Sequence, residues 1–319
     1  MRDIGLAEAQ LLAIFVESIA FGMFVVLYGI SLWVLRKKTR TQERKNRLLI
    51  IVITIMMILA IAHLAIDLAR LLDGFITNGV TADATVAFYA NLSHPTEYSK
   101  TAIYVTQTLI GDAFVIYRTW VVWNRTWWVT VIPTLLLVGN AITGYGCSYQ
   151  MSKTVPGASV FISSLSTYIT AFFCMTFATN VICTLMIAGR LMMRQKTIGS
   201  HTKHSLWPVV SMVVESGAIY SAALIAFLIA YLVNSNGQYP ALDIIQPLIG
   251  VTFSLILVRV GLGLSSGVSD PTAPTRHGEG SQFPMGPLSI NVSRLVEQDS
   301  DRDEFSKPSG SDSYDLKAV

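Results

Sequence analysis

Long apolar blocks alternate along the chain with short polar connections. Seven blocks are long enough to cross the hydrocarbon core of a bilayer, which takes about 20 predominantly apolar residues in a helix. They cover residues 10–35, 48–72, 101–122, 129–149, 161–188, 206–233 and 241–264. A helix of a soluble domain rarely stays apolar all round over such a length. The pattern predicts an all-α membrane protein whose seven transmembrane helices form a bundle over residues 1–264.

Composition excludes a soluble globular domain. Hydrophobic residues make up 52% of the 319 residues and charged residues 13%. Soluble domains carry about 25% charged residues, so this chain has half the usual supply. Charged residues are scarcest in the seven blocks, as expected if the side chains of those blocks contact lipid.

The positions of Lys and Arg predict the orientation of the bundle. Seven basic residues lie between the first two helices, in Arg36–Arg47, and the third and fifth connections hold five more. The connections at the opposite end hold three: Arg2, Lys100 and Lys153. Basic residues in short loops stay on the cytoplasmic side. We therefore expect an external N-terminus and a cytoplasmic C-terminus, in the plasma membrane rather than an internal one.

Residues 265–319 differ sharply in composition from the helices. They hold eleven serines and five prolines, and nine acidic residues against five basic ones. Such a segment buries too little apolar area to offset its ordering entropy, which predicts a disordered cytoplasmic tail. Within it, residues 286–304 alternate apolar and polar side chains before an acidic cluster. That pattern suits strand addition to a partner or phosphorylation of its serines, and a solvated tail without a specific role is the alternative.

Candidate partners and modifications follow from this topology. The partners expected are the lipid bilayer, a small ligand, and a cytoplasmic signalling protein that binds the basic loops and residues 286–304, with no nucleic acid. Asn91 begins the triplet Asn-Leu-Ser in an external connection, so it is a candidate for N-glycosylation. The triplets at Asn124 and Asn291 face the cytoplasm in this topology and should remain unmodified.

A first group of polar residues falls in the outer half of the predicted membrane region. His63, Asp67 and Arg70 are four and three residues apart, so they share one face of the second helix. Residues of other helices lie at a comparable depth: Glu17, Gln107 and Gln246. Polar groups from four helices at one depth are typical of a cavity lining, and the mixed charge suits a small polar or amphipathic ligand. A purely structural ion pair is the alternative.

A second group falls in the inner half of the membrane. Glu215 lies in the apolar segment Trp207–Val233, roughly 13 Å from its inner end at about 1.5 Å per residue. An ionisable side chain at that depth should face the bundle interior and have a partner. Arg118 and Arg259 are the candidate partners, and Asp112 competes for the same cations. The neighbouring Ser216 and Gly217 are expected to let another helix approach closely.

Three segments carry a family resemblance. "YRTWVVW" closes the third helix, "ESGAIYS" lies in the sixth, and "PLIGVTFSLILVRVGLG" lies in the seventh. With seven spans and a serine-rich tail, they resemble the functionally unassigned seven-transmembrane proteins expanded in mushroom-forming fungi. The resemblance covers about residues 10–264. It implies a receptor-like seven-helix architecture and a membrane location, and it implies no ligand.

Several other functions are disfavoured by the residues themselves. The seventh block contains no lysine, which excludes a retinal Schiff base. His63 is the only histidine within the seven blocks, so no metal site, cofactor or hydrolase chemistry is expected. The sequence favours a receptor-like sensor of a small external ligand and not an enzyme. A proton-coupled transporter of a small solute is the alternative, because Glu215 and Asp112 are acids within the membrane.

Overall fold

Helices make up almost all of the regular structure. The computed structural model describes residues 4–36, 43–79, 81–154, 163–198 and 207–265. Over those ranges the chain forms α1 (Leu6–Arg36), α2 (Glu43–Leu72), α3 (Ala82–Tyr89), α4 (Pro95–Val122), α5 (Val131–Lys153), α6 (Ser163–Ile198), α7 (Trp207–Leu232) and α8 (Gln238–Ser265). No β-strand occurs among these residues. The all-α class predicted from the sequence is confirmed.

Six of the helices are long and apolar enough to cross a bilayer. They are α1, α2, α5, α6, α7 and α8, among the residues that the structure describes. The chain is therefore a multi-pass membrane protein. The other long helix, α4, has 28 residues but is less apolar, since it carries Lys100, Gln107, Asp112 and Arg118. The short helix α3 lies in a connection where no helix was expected.

The helices are arranged with polar side chains inside and many large apolar side chains outside. The polar helix α4 packs against α2, α5, α6 and α8, while α1 packs along α8. Lys100, Gln107 and Asp112 of α4 are buried by these neighbours. Phe15, Ile132 and other large apolar side chains are exposed on the outer faces of the bundle. Exposed apolar side chains of this kind are what a lipid environment requires.

Two glycines allow close approaches between helices. A methyl group on Gly217 of α7 would lie 2.6 Å from the Thr184 hydroxyl of α6, so only glycine fits there. This confirms the close approach expected at that point of the helix. In the same way, a methyl group on Gly250 of α8 would collide with the Phe24 ring of α1. Close packing of this kind is a main source of helix association in membranes.

The predicted tail cannot be compared with the structure. Apart from Ser265, residues 265–319 lie outside the described part of the chain, and so do the segment 286–304 and Asn291. The helices described above belong to one compact unit, residues 1–269.

Candidate functional site

Five buried side chains form a continuous chain of charged contacts across four helices. We call this set the ionic cluster: Glu17, His63, Asp67, Lys100 and Asp243. His63 Nδ1 lies 2.7 Å from Glu17 Oε1 and 3.3 Å from Asp67 Oδ2. Lys100 Nζ lies 2.7 Å from Asp67 Oδ1 and 2.8 Å from Asp243 Oδ1. Each of the five residues is at most 8% exposed, so the network is closed off from the surface.

Helix geometry explains why these side chains meet. His63 and Asp67 are four residues apart in α2 and therefore lie on the same face, one above the other. Glu17 comes from α1, Lys100 from the second turn of α4, and Asp243 from the second turn of α8. All five lie towards the end of the bundle where α4 and α8 begin and α2 ends. Four separate helices must pack correctly before the cluster exists.

A second ion pair lies beside the ionic cluster, beneath α3. Arg70 Nη2 lies 2.5 Å from Glu97 Oε2, and Arg70 Nη1 donates to Thr96 Oγ1 at 2.8 Å. The Tyr89 hydroxyl donates to the Arg70 carbonyl at 3.2 Å. Burial raises the pKa of Tyr89 to about 12, so this hydroxyl keeps its proton at neutral pH. Glycine at position 74 admits the Tyr89 ring, because a methyl group there would lie 2.7 Å from it.

Gln107 and Gln246 hydrogen-bond to each other, and Gln246 Oε1 remains buried without a partner. Gln107 Nε2 donates to the Gln246 carbonyl at 2.8 Å, and Gln246 Nε2 donates to Gln107 Oε1 at 3.0 Å. Both side chains are fully buried between α4 and α8. The structure thus places the six predicted outer residues in three units. Glu17, His63 and Asp67 join the ionic cluster, Arg70 pairs with Glu97, and the two glutamines pair with each other.

The ionic cluster carries more negative than positive charge. It holds three carboxylates against one lysine, so its formal charge is −2 with His63 neutral and −1 with His63 protonated. Two of its buried oxygens, Glu17 Oε2 and Asp67 Oδ2, accept no hydrogen bond from an N–H or hydroxyl donor, although the two carboxyl groups lie close enough to share a proton. The donor atoms of Glu17, His63 and Asp67 lie within 4.8 Å of one another, close enough to share a cation. A buried site with spare acceptors and surplus negative charge is built to hold a proton or a cation.

An apolar cavity of about 80 Å³ opens beside the ionic cluster. One water molecule needs about 10–15 Å³ by the same measure, so the cavity has room for a small molecule. Its apolar wall includes Leu92, Tyr104, Val105, Phe172, Phe173 and Phe227. Its polar groups include His63, Glu97, Lys100 and Asp243. The cavity therefore offers a ligand a largely aromatic wall and an ionic end.

Among the described side chains of the predicted inner group, Asp112 and Arg118 have different partners. Asp112 is buried, but it accepts hydrogen bonds from Thr176 Oγ1 at 2.6 Å and Asn140 Nδ2 at 3.2 Å, both neutral donors. We call these three residues the Asp112 group. The Arg118 guanidinium lies 4.4 Å from the centre of the Phe114 ring. The expectation that Glu215 faces the bundle interior is wrong, because this residue is exposed.

Rotation around the helix axis explains these differences. Asp112 and Arg118 are six residues apart, which turns their side chains by about 240° and separates them by about 9 Å along the axis. Similar depth therefore did not bring them together. Glu215 precedes Ser216, which is buried against the neighbouring helix, and one residue turns the side chain by about 100°. The side chain of Arg259 lies outside the described part of the chain.

Three residues of the site were missed in the sequence: Lys100, Asp243 and Glu97. Lys100 had been counted as a loop residue of the external side, whereas α4 begins at Pro95 and buries it. Helical spacing could have identified Lys100, because Lys100 and Gln107 are seven residues apart and share a helix face. The same holds for Asp243 and Gln246, which are three residues apart.

The site combines an ion network with an adjacent apolar cavity. Comparison of the chain with protein-family models, with curated proteins and with solved structures gives no match.

Proposed function

We propose that this protein is a receptor-like sensor of a small amphipathic ligand that binds in the cavity beside the ionic cluster. The single observation that carries the proposal is the composition of the cavity wall. Aromatic side chains such as Phe172 and Phe227 suit an apolar body, and Lys100 and Asp243 suit a polar head group. A change in the helix packing around the occupied cavity would carry the signal to a cytoplasmic partner.

We propose that the protein has seven membrane spans, namely the six apolar helices and α4. Two facts support a membrane-spanning α4 despite its polarity. It is 28 residues long, and at about 1.5 Å per residue it exceeds the hydrocarbon thickness of about 30 Å. Its polar side chains are covered by four other helices rather than by lipid. The resemblance to fungal seven-transmembrane proteins agrees with this architecture, and the plasma membrane is the proposed location.

The binding test uses three probes that differ only in the head group: octylamine, octanol and octanoate. The full chain is placed in lipid nanodiscs, and its thermal unfolding is followed with and without each probe. A ligand that binds only the folded state raises the melting temperature. We expect at least one head group to raise it in a saturable way. No saturable shift with any of the three would remove the support for a ligand cavity.

Two cysteines provide a matched pair of variants for this test. Cys147 is buried and lines the cavity, whereas Cys174 is exposed on the bundle surface. Cys147→Phe fills the cavity with a ring and should abolish the probe-induced shift. Cys174→Phe adds the same ring elsewhere and should leave the shift unchanged. Equal loss in both variants would place probe binding outside the cavity.

A transport assay separates the sensor from a proton-coupled transporter. The observation that favours the transporter is the continuous contact from Glu17 to Asp243, which crosses four helices inside the bundle. The probe that binds is offered to proteoliposomes with and without a pH gradient. Binding without uptake is expected for a sensor. Uptake that depends on the pH gradient would contradict the sensor function and support the transporter function.

The proposed orientation is tested at Asn91. This residue lies half-buried in the turn between α3 and α4, where its Oδ1 accepts hydrogen bonds from the backbone and hydroxyl of Ser93. Glycosidase treatment of protein from a eukaryotic host should shift its gel mobility. The shift should vanish in Asn91→Gln and persist in Asn124→Gln. A mobility shift that depends on Asn124 would show that the orientation is opposite to the proposed one.

A further inference from the structure

We propose that Glu17, His63 and Asp67 form a binding site for a divalent transition-metal ion of the zinc class. The ligand set would be one imidazole nitrogen and two carboxylate oxygens, contributed by α1 and α2. Three protein ligands with a remaining open position are typical of a reactive zinc site rather than of a closed structural one. The sequence predicts one depth for these three residues, but the spacing of 46 residues between Glu17 and His63 does not predict that they touch.

The distances within the site fit a small metal ion. In a tetrahedral zinc site, with metal–ligand distances of about 2.0–2.1 Å, neighbouring ligand atoms lie about 3.3 Å apart. His63 Nδ1 and Asp67 Oδ2 already have that separation, 3.3 Å. His63 Nδ1 and Glu17 Oε1 are 2.7 Å apart and would have to separate by about 0.6 Å. All three ligand atoms lie within 4.8 Å of one another.

Unsatisfied buried oxygens point independently to a ligand. Glu17 is 1% exposed, and its Oε2 has no partner except through a proton shared with the neighbouring Asp67 carboxyl group. Asp67 Oδ2 is also buried without any other hydrogen bond, and it lies on the side of the carboxylate that faces His63. A buried carboxylate oxygen without a donor is costly unless something positive meets it. In this site both such oxygens belong to candidate ligands.

With all three of its carboxylates ionised, the charge of the cluster suits a divalent ion. Glu17, Asp67 and Asp243 contribute three negative charges, and Lys100 contributes one positive charge. Adding an ion of charge +2 brings the sum to zero with His63 neutral, which is the form that binds metals. A monovalent ion would leave one uncompensated negative charge in the interior. One imidazole and two carboxylates suit zinc and its first-row neighbours better than calcium, which takes six to eight oxygens.

Lys100 and Asp243 act as the outer partners of the site. Lys100 Nζ binds Asp67 Oδ1 at 2.7 Å, which leaves Oδ2 directed towards His63. Asp243 in turn holds the same ammonium group at 2.8 Å. Ligating carboxylates are commonly fixed by hydrogen bonds of this kind. The inference does not rest on the proposed sensor function, because none of its steps uses a cavity ligand.

The test is metal binding by the purified full chain, without a histidine tag, in detergent. After dialysis against a chelator, Zn²⁺ is titrated calorimetrically and Co²⁺ is added to a parallel sample. We expect one Zn²⁺ per chain, a higher melting temperature with Zn²⁺, and visible Co²⁺ absorption of a low-symmetry site with nitrogen and oxygen ligands. Absence of both a binding isotherm and Co²⁺ absorption would overturn the proposal and leave protons as the balancing charge.

A matched pair of variants distinguishes ligation from general electrostatic attraction. Glu17→Gln removes a ligand and one negative charge, and Asp243→Asn removes the same charge from the outer shell. We expect Glu17→Gln to abolish stoichiometric binding, and Asp243→Asn to weaken it by about 10–100-fold, the usual loss for an outer-shell partner. Equal affinities in the two variants would contradict the assigned ligands. If neither variant yields folded protein, the Co²⁺ absorption of the unmodified chain decides.

Discussion

The ionic cluster and the Asp112 group both bury carboxylates between helices, but they balance them differently. Asp112 meets two neutral donors, the Asn140 amide and the Thr176 hydroxyl. The acids of the ionic cluster meet one lysine and one histidine, and oxygens are left without donors. Both regions contain a buried oxygen without a donor, since Asn140 Oδ1 in the Asp112 group also lacks a hydrogen-bond partner. What distinguishes the ionic cluster is its surplus of carboxylates, three against one lysine.

The two regions also depend on different numbers of helices. The Asp112 group joins α4, α5 and α6, and each partner makes a single hydrogen bond. In the ionic cluster, Lys100 of α4 holds both Asp67 of α2 and Asp243 of α8. Removal of Lys100 should therefore have a larger effect than removal of any one member of the Asp112 group.

Lys100→Met should cause the largest loss of stability. It leaves Asp67 and Asp243 facing each other in the interior without their shared cation. Breaking a buried ion pair from one side typically costs about 3–5 kcal/mol. Thermal unfolding in detergent should show a melting temperature that falls strongly, or no monodisperse protein at all. The control is Lys153→Met, which removes an exposed lysine at the end of α5 and should change little.

Intermediate effects are expected at Asp112, where two replacements separate hydrogen bonding from charge. Asp112→Ala leaves the Asn140 and Thr176 donors unsatisfied, at a cost of about 1–3 kcal/mol. Asp112→Asn keeps an acceptor oxygen of the same shape, so it should cost clearly less. Both are measured by the same unfolding assay. Equal melting temperatures for the two variants would show that the charge of Asp112, not its hydrogen bonds, is what the group requires.

Hydrophobic patterning predicted much of the fold. A bilayer needs long apolar helices, so the length of the blocks was informative, and each of the seven blocks contains one long helix among the described residues. The helix α3 was missed because it is only eight residues long and lies in a connection. Its N-cap could have been recognised, since the Thr81 hydroxyl accepts from the backbone of Ala84.

The candidate site was predictable only where helical spacing defined a face. His63 and Asp67 were grouped correctly because residues four apart in a helix are neighbours. Glu215 and Arg118 were grouped by depth alone, and depth does not say which way a side chain points around the helix axis. The direction is set by packing, such as the close approach of α6 to α7 at Gly217. Contacts between distant segments, such as Glu17 with His63, follow from that packing and not from sequence spacing.

Glu17→Gln should have the smallest effect on stability, and for that reason it tests the comparison most sharply. Measured in the presence of a chelator, it should change the free energy of unfolding by less than about 1 kcal/mol, within the range of an ordinary neutral hydrogen bond. Glutamine keeps the shape of the side chain and an oxygen for His63 Nδ1, which lies 2.7 Å from Glu17 Oε1. It also removes one of the surplus negative charges, which offsets part of any loss. A destabilisation as large as that of Lys100→Met would show that Glu17 is needed for charge balance, so that the ionic cluster has no surplus of acids. A small change with chelator, combined with the loss of the Zn²⁺-dependent rise in melting temperature, would show that Glu17 serves a bound ion rather than the fold.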